Sequence, residues 1–96
     1  MTEIKLRADE CRANADDVKT SKEDVFDVLS ALRSRMDNLS DSFTGRTHEA
    51  FIAKLDEWKL ASDELLTALG GLGDFLRAAA DTIEDVDVQL AGQLAG

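Results

Sequence analysis

Apolar positions recur along the chain in alternating steps of three and four. From Ala8 the series runs through Cys11, Ala15, Val18, Lys22, Val25, Leu29, Leu32, Met36, Leu39 and Phe43, with Lys22 its one strongly polar member. Steps of three and four keep one stripe on a helix, so residues 8 to 41 are expected to form a long first helix with a heptad seam. The series restarts at Phe51 and continues through Leu55, Trp58, Ser62, Leu65, Leu69, Leu72, Leu76, Ala79, Ile83, Val86 and Leu90, with Ser62 polar. A second helix is expected over residues 48 to 88, with a flexible C-terminal tail over 89 to 96. The eight-residue interval from Phe43 to Phe51 breaks the alternation, and Gly45 lies inside it. Glycine accepts the backbone angles that end a helix, and Thr44 or Thr47 can cap the next one. Residues 42 to 47 therefore read as the turn of an antiparallel helix-turn-helix hairpin, with Phe43 and Phe51 closing its tip.

Folding about Gly45 sets residue i opposite roughly 91 − i. That register puts Lys22 near Leu69 and Gly70, so glycines are expected to make room for the lysine stem. Gly70, Gly71 and Gly73 each cost about 1 kcal/mol in a helix relative to alanine, and a break there would give a three-helix bundle. The seam stays in phase from Leu65 through Leu76, which favours one continuous helix. Helices of this length span on the order of 50 to 65 Å, a rod rather than a globule. Apolar residues also lie off the seams, notably Phe26, Leu66 and Phe75, which makes these three the candidates for a dimer interface. The fold class expected is all-α: a single hairpin domain over 1 to 96 that dimerises into an elongated four-helix bundle.

Composition agrees with helix and narrows the function. The 96 residues contain no proline and no tyrosine, and 32% are charged. A chain this short buries little more than about 60% of its unfolded surface, so a partner chain is expected to complete its core. The net charge is −9, which repels a phosphate backbone and an anionic membrane surface; neither nucleic acid binding nor stable membrane insertion is expected. Residues 1 to 46 carry eight basic and ten acidic groups, residues 47 to 96 three and ten, so the acidity belongs to the C-terminal half.

Candidate chemistry is sparse. Trp58 and Cys11 lie on the seams and read as core, His48 reads as solvated in the first turn of helix 2, and the acidic group Asp81, Glu84, Asp85 and Asp87 lacks the pattern of a calcium loop. No phosphate loop, metal-ligand spacing or paired nucleophile and base is present, so neither enzyme activity nor a cofactor or metal is expected. The N-terminus lacks the apolar run of a secretory signal, so any export is expected to proceed without a cleaved one.

The hairpin, the Ser42-Phe43-Thr44-Gly45 turn, the following Ala50-Phe51 and the Ile83-Glu84-Asp85-Val86-Asp87 segment together resemble the WXG family of small ESAT-six-like substrates of type VII secretion. Phe43 stands where the family usually has Trp, and Ile83 where its C-terminal Tyr-x-x-x-Asp/Glu export motif usually has Tyr. The opening Met-Thr-Glu-Ile-Lys-Leu, Asp27-Val28-Leu29 and the stretch from Ala80 to Leu94 resemble the homodimeric branch. The resemblance implies a secreted, non-enzymatic protein exported as a folded dimer, as a homodimer or with a sister chain, and read by the type VII secretion ATPase. It implies a turn motif at Phe43 and Gly45, an export signal at Ile83 and Asp87, and a carrier or effector role. The alternative is an intracellular coiled-coil adaptor using its acidic helical face.

Overall fold

The computed structural model describes the backbone of residues 2–95 and the side chains of residues 3–86. It is all-α: α1 spans Thr2–Ser40 and α2 spans Gly45–Ala95. α1 begins earlier than its apolar stripe because nothing in the first turn opposes a helix and Glu3 complements the positive end of its dipole. α2 is one uninterrupted helix through Gly70, Gly71 and Gly73, and it continues past residue 88, where the sequence reading ended it, to Ala95. With no proline in the chain, only weak local propensity opposes helix in that last stretch.

Backbone hydrogen bonds close the turn. The amides of Ser42 and Phe43 donate to the carbonyls of Leu39 and Ser40 at 2.9 and 3.2 Å, tightening the end of α1. Gly45 then takes φ +60°, the left-handed region that a side chain disfavours. It stands as the first residue of α2 rather than as the stop of α1, and the His48 amide donates to the Thr44 carbonyl at 3.4 Å to open the new helix. Across the turn, the rings of Phe43 and Phe51 sit 5.0 Å apart, tilted by 52°, a favourable aromatic geometry.

Contacts divide the chain into two compact units, one of Ser21–Ala68 and one of Met1–Thr20 with Leu69–Gly96. In the first, the turn unit, α1 and α2 residues pair around Leu55 and Ser62, both buried. The Ser62 hydroxyl donates to the Trp58 carbonyl at 2.9 Å, so a polar seam residue is satisfied within its own helix. In the second, the terminal unit, the residues fully buried are Ala8, Ala15 and Ala80, and Gly73 is buried with them. The expected register holds within each unit: Lys59 pairs with Asp37, Arg77 with Asp16, and a Cβ at Gly73 would lie 3.7 Å from Val18.

The seam of α2 keeps Leu55 and Ser62, both buried as its sequence reading expects, and departs from that reading elsewhere. Leu65 and Leu72, placed on the seam by periodicity, are each 48% exposed, while Gly73 and Ala80 are buried. Small residues spaced by seven let the two backbones approach, and the larger side chain beside each is turned outward. A Cβ at Gly71 would meet nothing within 4 Å, and one at Gly73 would meet Val18, Arg77 and Ala15 at ordinary contact distance.

Candidate functional site

Helical geometry gives each unit two flanks beside its buried stripe, and their chemistry differs. In the turn unit, Leu32, Met36, Phe51, Leu55 and Trp58, with the Lys54 side chain, line a groove of about 210 Å³ that is almost wholly apolar. Leu39 and Leu65 fall on the same flank by heptad position and are largely exposed. On the opposite flank a much smaller cavity, about 30 Å³, is lined by Phe26, Leu29, Arg33, Trp58, Ser62 and Leu66. Ion pairs cross that side: Arg33 with Asp63 at 3.7 Å and Lys59 with Asp37 at 3.1 Å.

The terminal unit repeats the division. Leu72, Phe75 and Val86 share its apolar flank, and Phe75 is 67% exposed. The charged side carries Arg77 paired with Asp16 at 3.3 Å and Arg12 paired with both Asp81 and Glu84. Arg12 Nη2 donates to Asp81 Oδ1 at 3.0 Å, and Nη1 donates to Glu84 Oε1. These bonds, from Glu84 first and Asp81 second, raise Arg12 above its ordinary value and keep the guanidinium charged. The hydrogen bond from Arg12 holds Glu84 below the usual carboxylate range, against desolvation and with help from Lys5.

The residues singled out from sequence divide accordingly. Phe43 and Gly45 build the turn together. Phe75 lies on the open apolar flank of the terminal unit, whereas Phe26 and Leu66 line the small cavity on the ion-paired side of the turn unit. Ile83 is half-buried between Asp81 and Glu84 in sequence, and Asp87 lies outside the residues whose side chains are described. Trp58 is half-buried and borders both flanks, Cys11 is a half-buried free thiol, and His48 is half-buried rather than solvated because it sits in the first turn of α2, close to the hairpin's tip.

Two features escaped the sequence reading: the burial of Gly73 and Ala80 with the seam residues Ala8 and Ala15, and the Arg12 cluster. The first is signalled by paired spacings of seven, the second by the register, because 12 and 81 sum to nearly 91. Among the described residues no helix is long and apolar enough to cross a membrane.

Comparison with known proteins assigns the chain to a family. No solved structure matches the chain significantly. The chain is 28% identical over 96 residues to the ESAT-6-like protein SAG1039 of Streptococcus agalactiae serotype V, covering all of both chains. It is 30% identical over 84 residues to the ESAT-6-like protein EsxB of Corynebacterium diphtheriae, covering 88% of this chain and 80% of that one. The model of the family described as "Proteins of 100 residues with WXG" matches residues 3–88, from the first turn of α1 through the segment that holds Ile83. The chain therefore belongs to the WXG100 family.

Proposed function

We propose that this chain is a non-enzymatic substrate of a type VII secretion system, exported as a folded dimer whose apolar flanks are covered by a second helical hairpin. The observation that carries the pairing is the inverted distribution of side-chain size. Alanines and a glycine fill the contact between α1 and α2 in the terminal unit, while Leu72 and Phe75 remain exposed, and no large side chain is fully buried among the described residues. A hairpin that keeps its largest apolar groups outside buries too little to stand alone, and an apolar flank of this kind marks an association surface. The partner is a second copy, or a sister chain of the same family. Membership of the WXG100 family supports secretion through the type VII pathway.

In this reading Phe43 and Gly45 form the turn motif with phenylalanine in the tryptophan position, and Ile83 with Asp87 forms the signal read by the secretion ATPase. Residues four apart on a helix lie on neighbouring turns of one face, so an apolar group and a carboxylate can be presented together. The dimer surface is drawn in the turn unit from Leu32, Leu39, Trp58 and Leu65 and in the terminal unit from Leu72 and Phe75, and the carrier or effector role follows export.

The test is to follow the tagged protein in culture supernatant from strains with an intact or a nucleotide-binding-dead secretion ATPase, with a cytoplasmic enzyme as lysis control. Protein outside the cell only in the first strain is expected. Equal amounts outside both strains, or none outside either, overturn the export reading.

A further inference from the structure

The contact that fixes the last described turns of α2 on α1 is unlike the rest of the hairpin. In the turn unit Leu55 is buried with Trp58 against it, but in the terminal unit the buried side chains are single methyl groups, those of Ala8, Ala15 and Ala80. Apolar stabilisation scales with the area removed from water, so these alanines contribute little each. Acidic residues also crowd this part of α2: Asp81, Glu84 and Asp85 stand three and four apart and repel one another along one face. Arg12 answers both deficits. Its planar fork reaches two carboxylates of α2 from α1, while Asp9, 3.9 Å from Nη1, steadies it from its own helix. By comparison, Arg33 and Lys59 in the turn unit each meet one carboxylate across the helices.

We propose that Arg12 is a clasp that docks residues 81–86 of α2 on α1 and thereby keeps Ile83 half-buried, so that this segment is presented only when the clasp opens. The masking rests on the export reading for its consequence, not for its physics. A receptor that grips Ile83 must expose a side chain that is half-buried in the hairpin, and it competes with the Arg12 fork to do so. Exposed ion pairs are screened by salt, which makes the clasp releasable without unfolding the turn unit.

Hydrogen exchange by mass spectrometry on the full-length chain tests this, comparing wild type, Arg12→Gln, Arg12→Lys and, as control in the turn unit, Arg33→Gln. In low salt, Arg12→Gln is expected to speed exchange of residues 81–86 by roughly three- to tenfold and to leave residues 54–66 unchanged. Arg12→Lys, which cannot span both carboxylates, is expected to fall between the two, and Arg33→Gln to leave residues 81–86 as in wild type. Unchanged exchange of residues 81–86 in Arg12→Gln, or equal acceleration of residues 54–66, overturns the clasp. A secretion assay on Ile83→Ser separates the two ideas. Normal export of Ile83→Ser with a loosened Arg12→Gln segment sinks the signal and leaves the clasp, whereas retention of Ile83→Ser with no change in exchange sinks the clasp alone.

Discussion

Replacing Gly71 and Gly73 by alanine is expected to stabilise the protein, which runs against the habit of treating glycines in a helix as structural necessities. Both residues lie inside the continuous helix α2, and the positive backbone angle is found at Gly45 alone among the glycines described. A Cβ at Gly71 would meet nothing within 4 Å. At Gly73 it would meet Val18 Cγ1 at 3.7 Å, Arg77 Nη1 at 3.8 Å and the Ala15 carbonyl at 3.9 Å, all ordinary van der Waals distances. Neither methyl has to displace an atom, so the helix-propensity gain is retained, about 1 kcal/mol at each site. Two residues apart on a helix do not face each other, so the gains add to roughly 2 kcal/mol. For a chain of this size that raises the melting temperature by about 8 to 15 °C. Thermal unfolding followed by far-ultraviolet circular dichroism, at fixed protein concentration, reads the shift. A lower melting temperature for Gly73→Ala would show that α1 and α2 approach more closely than these distances allow, and a drop for Gly71→Ala would point to a break in α2.

Gly45→Ala is expected to act in the opposite sense, losing about 1–2 kcal/mol because φ +60° is strained for any residue with a Cβ, and Gly45→Asn is expected to lose less. On the apolar flank, Phe75→Glu removes a large side chain from the proposed interface, where a buried Phe contributes about 1.5–3 kcal/mol, so the dimer dissociation constant should rise at least tenfold. Leu60→Gln, at an exposed position away from that flank, should leave dimerisation unchanged, and analytical ultracentrifugation compares the two. The pH dependence of the terminal unit follows from Glu84. Because Arg12 and Lys5 hold it below the usual carboxylate range, its pairing stabilises the fold above that range and is lost as pH falls through the lowered value. Arg12 is raised and stays charged throughout, so exchange of residues 81–86 should be insensitive to the state of this pair near neutrality and accelerate as pH falls below the usual carboxylate range, which hydrogen exchange corrected for intrinsic rates measures.

Much of the fold was legible because a heptad spacing has few other readings. The break between Phe43 and Phe51 located the turn, Gly45 supplied its unusual backbone angle, and the unbroken phase from Leu65 to Leu76 outweighed the glycines between them. The inner face was less legible. Leu65 and Leu72 carry the periodicity, yet Gly73 and Ala80 are the buried positions, because periodicity counts apolar groups without saying which of them are covered. A helix whose apolar stripe is wider than its own hairpin covers shows one broad stripe in sequence. Only the packing divides it, small residues inward and large ones toward the open flank. Phe26 and Phe75 are both off-seam and both exposed, at 55% and 67%, and Phe26 shares its small cavity with Arg33. The Arg12 cluster was hidden because its members lie about 70 residues apart, and no local pattern marks an ion pair across a hairpin.

Sedimentation equilibrium of the purified chain, from nanomolar to tens of micromolar, measures directly whether the exposed apolar flanks are a partner-binding surface. A helical species of twice the 10.5 kDa chain mass, dissociating on dilution and weakened by Phe75→Glu, is expected. A fully helical monomer that stays monomeric and thermally stable across that range would contradict it, because Leu72 and Phe75 would then face water with nothing to cover them.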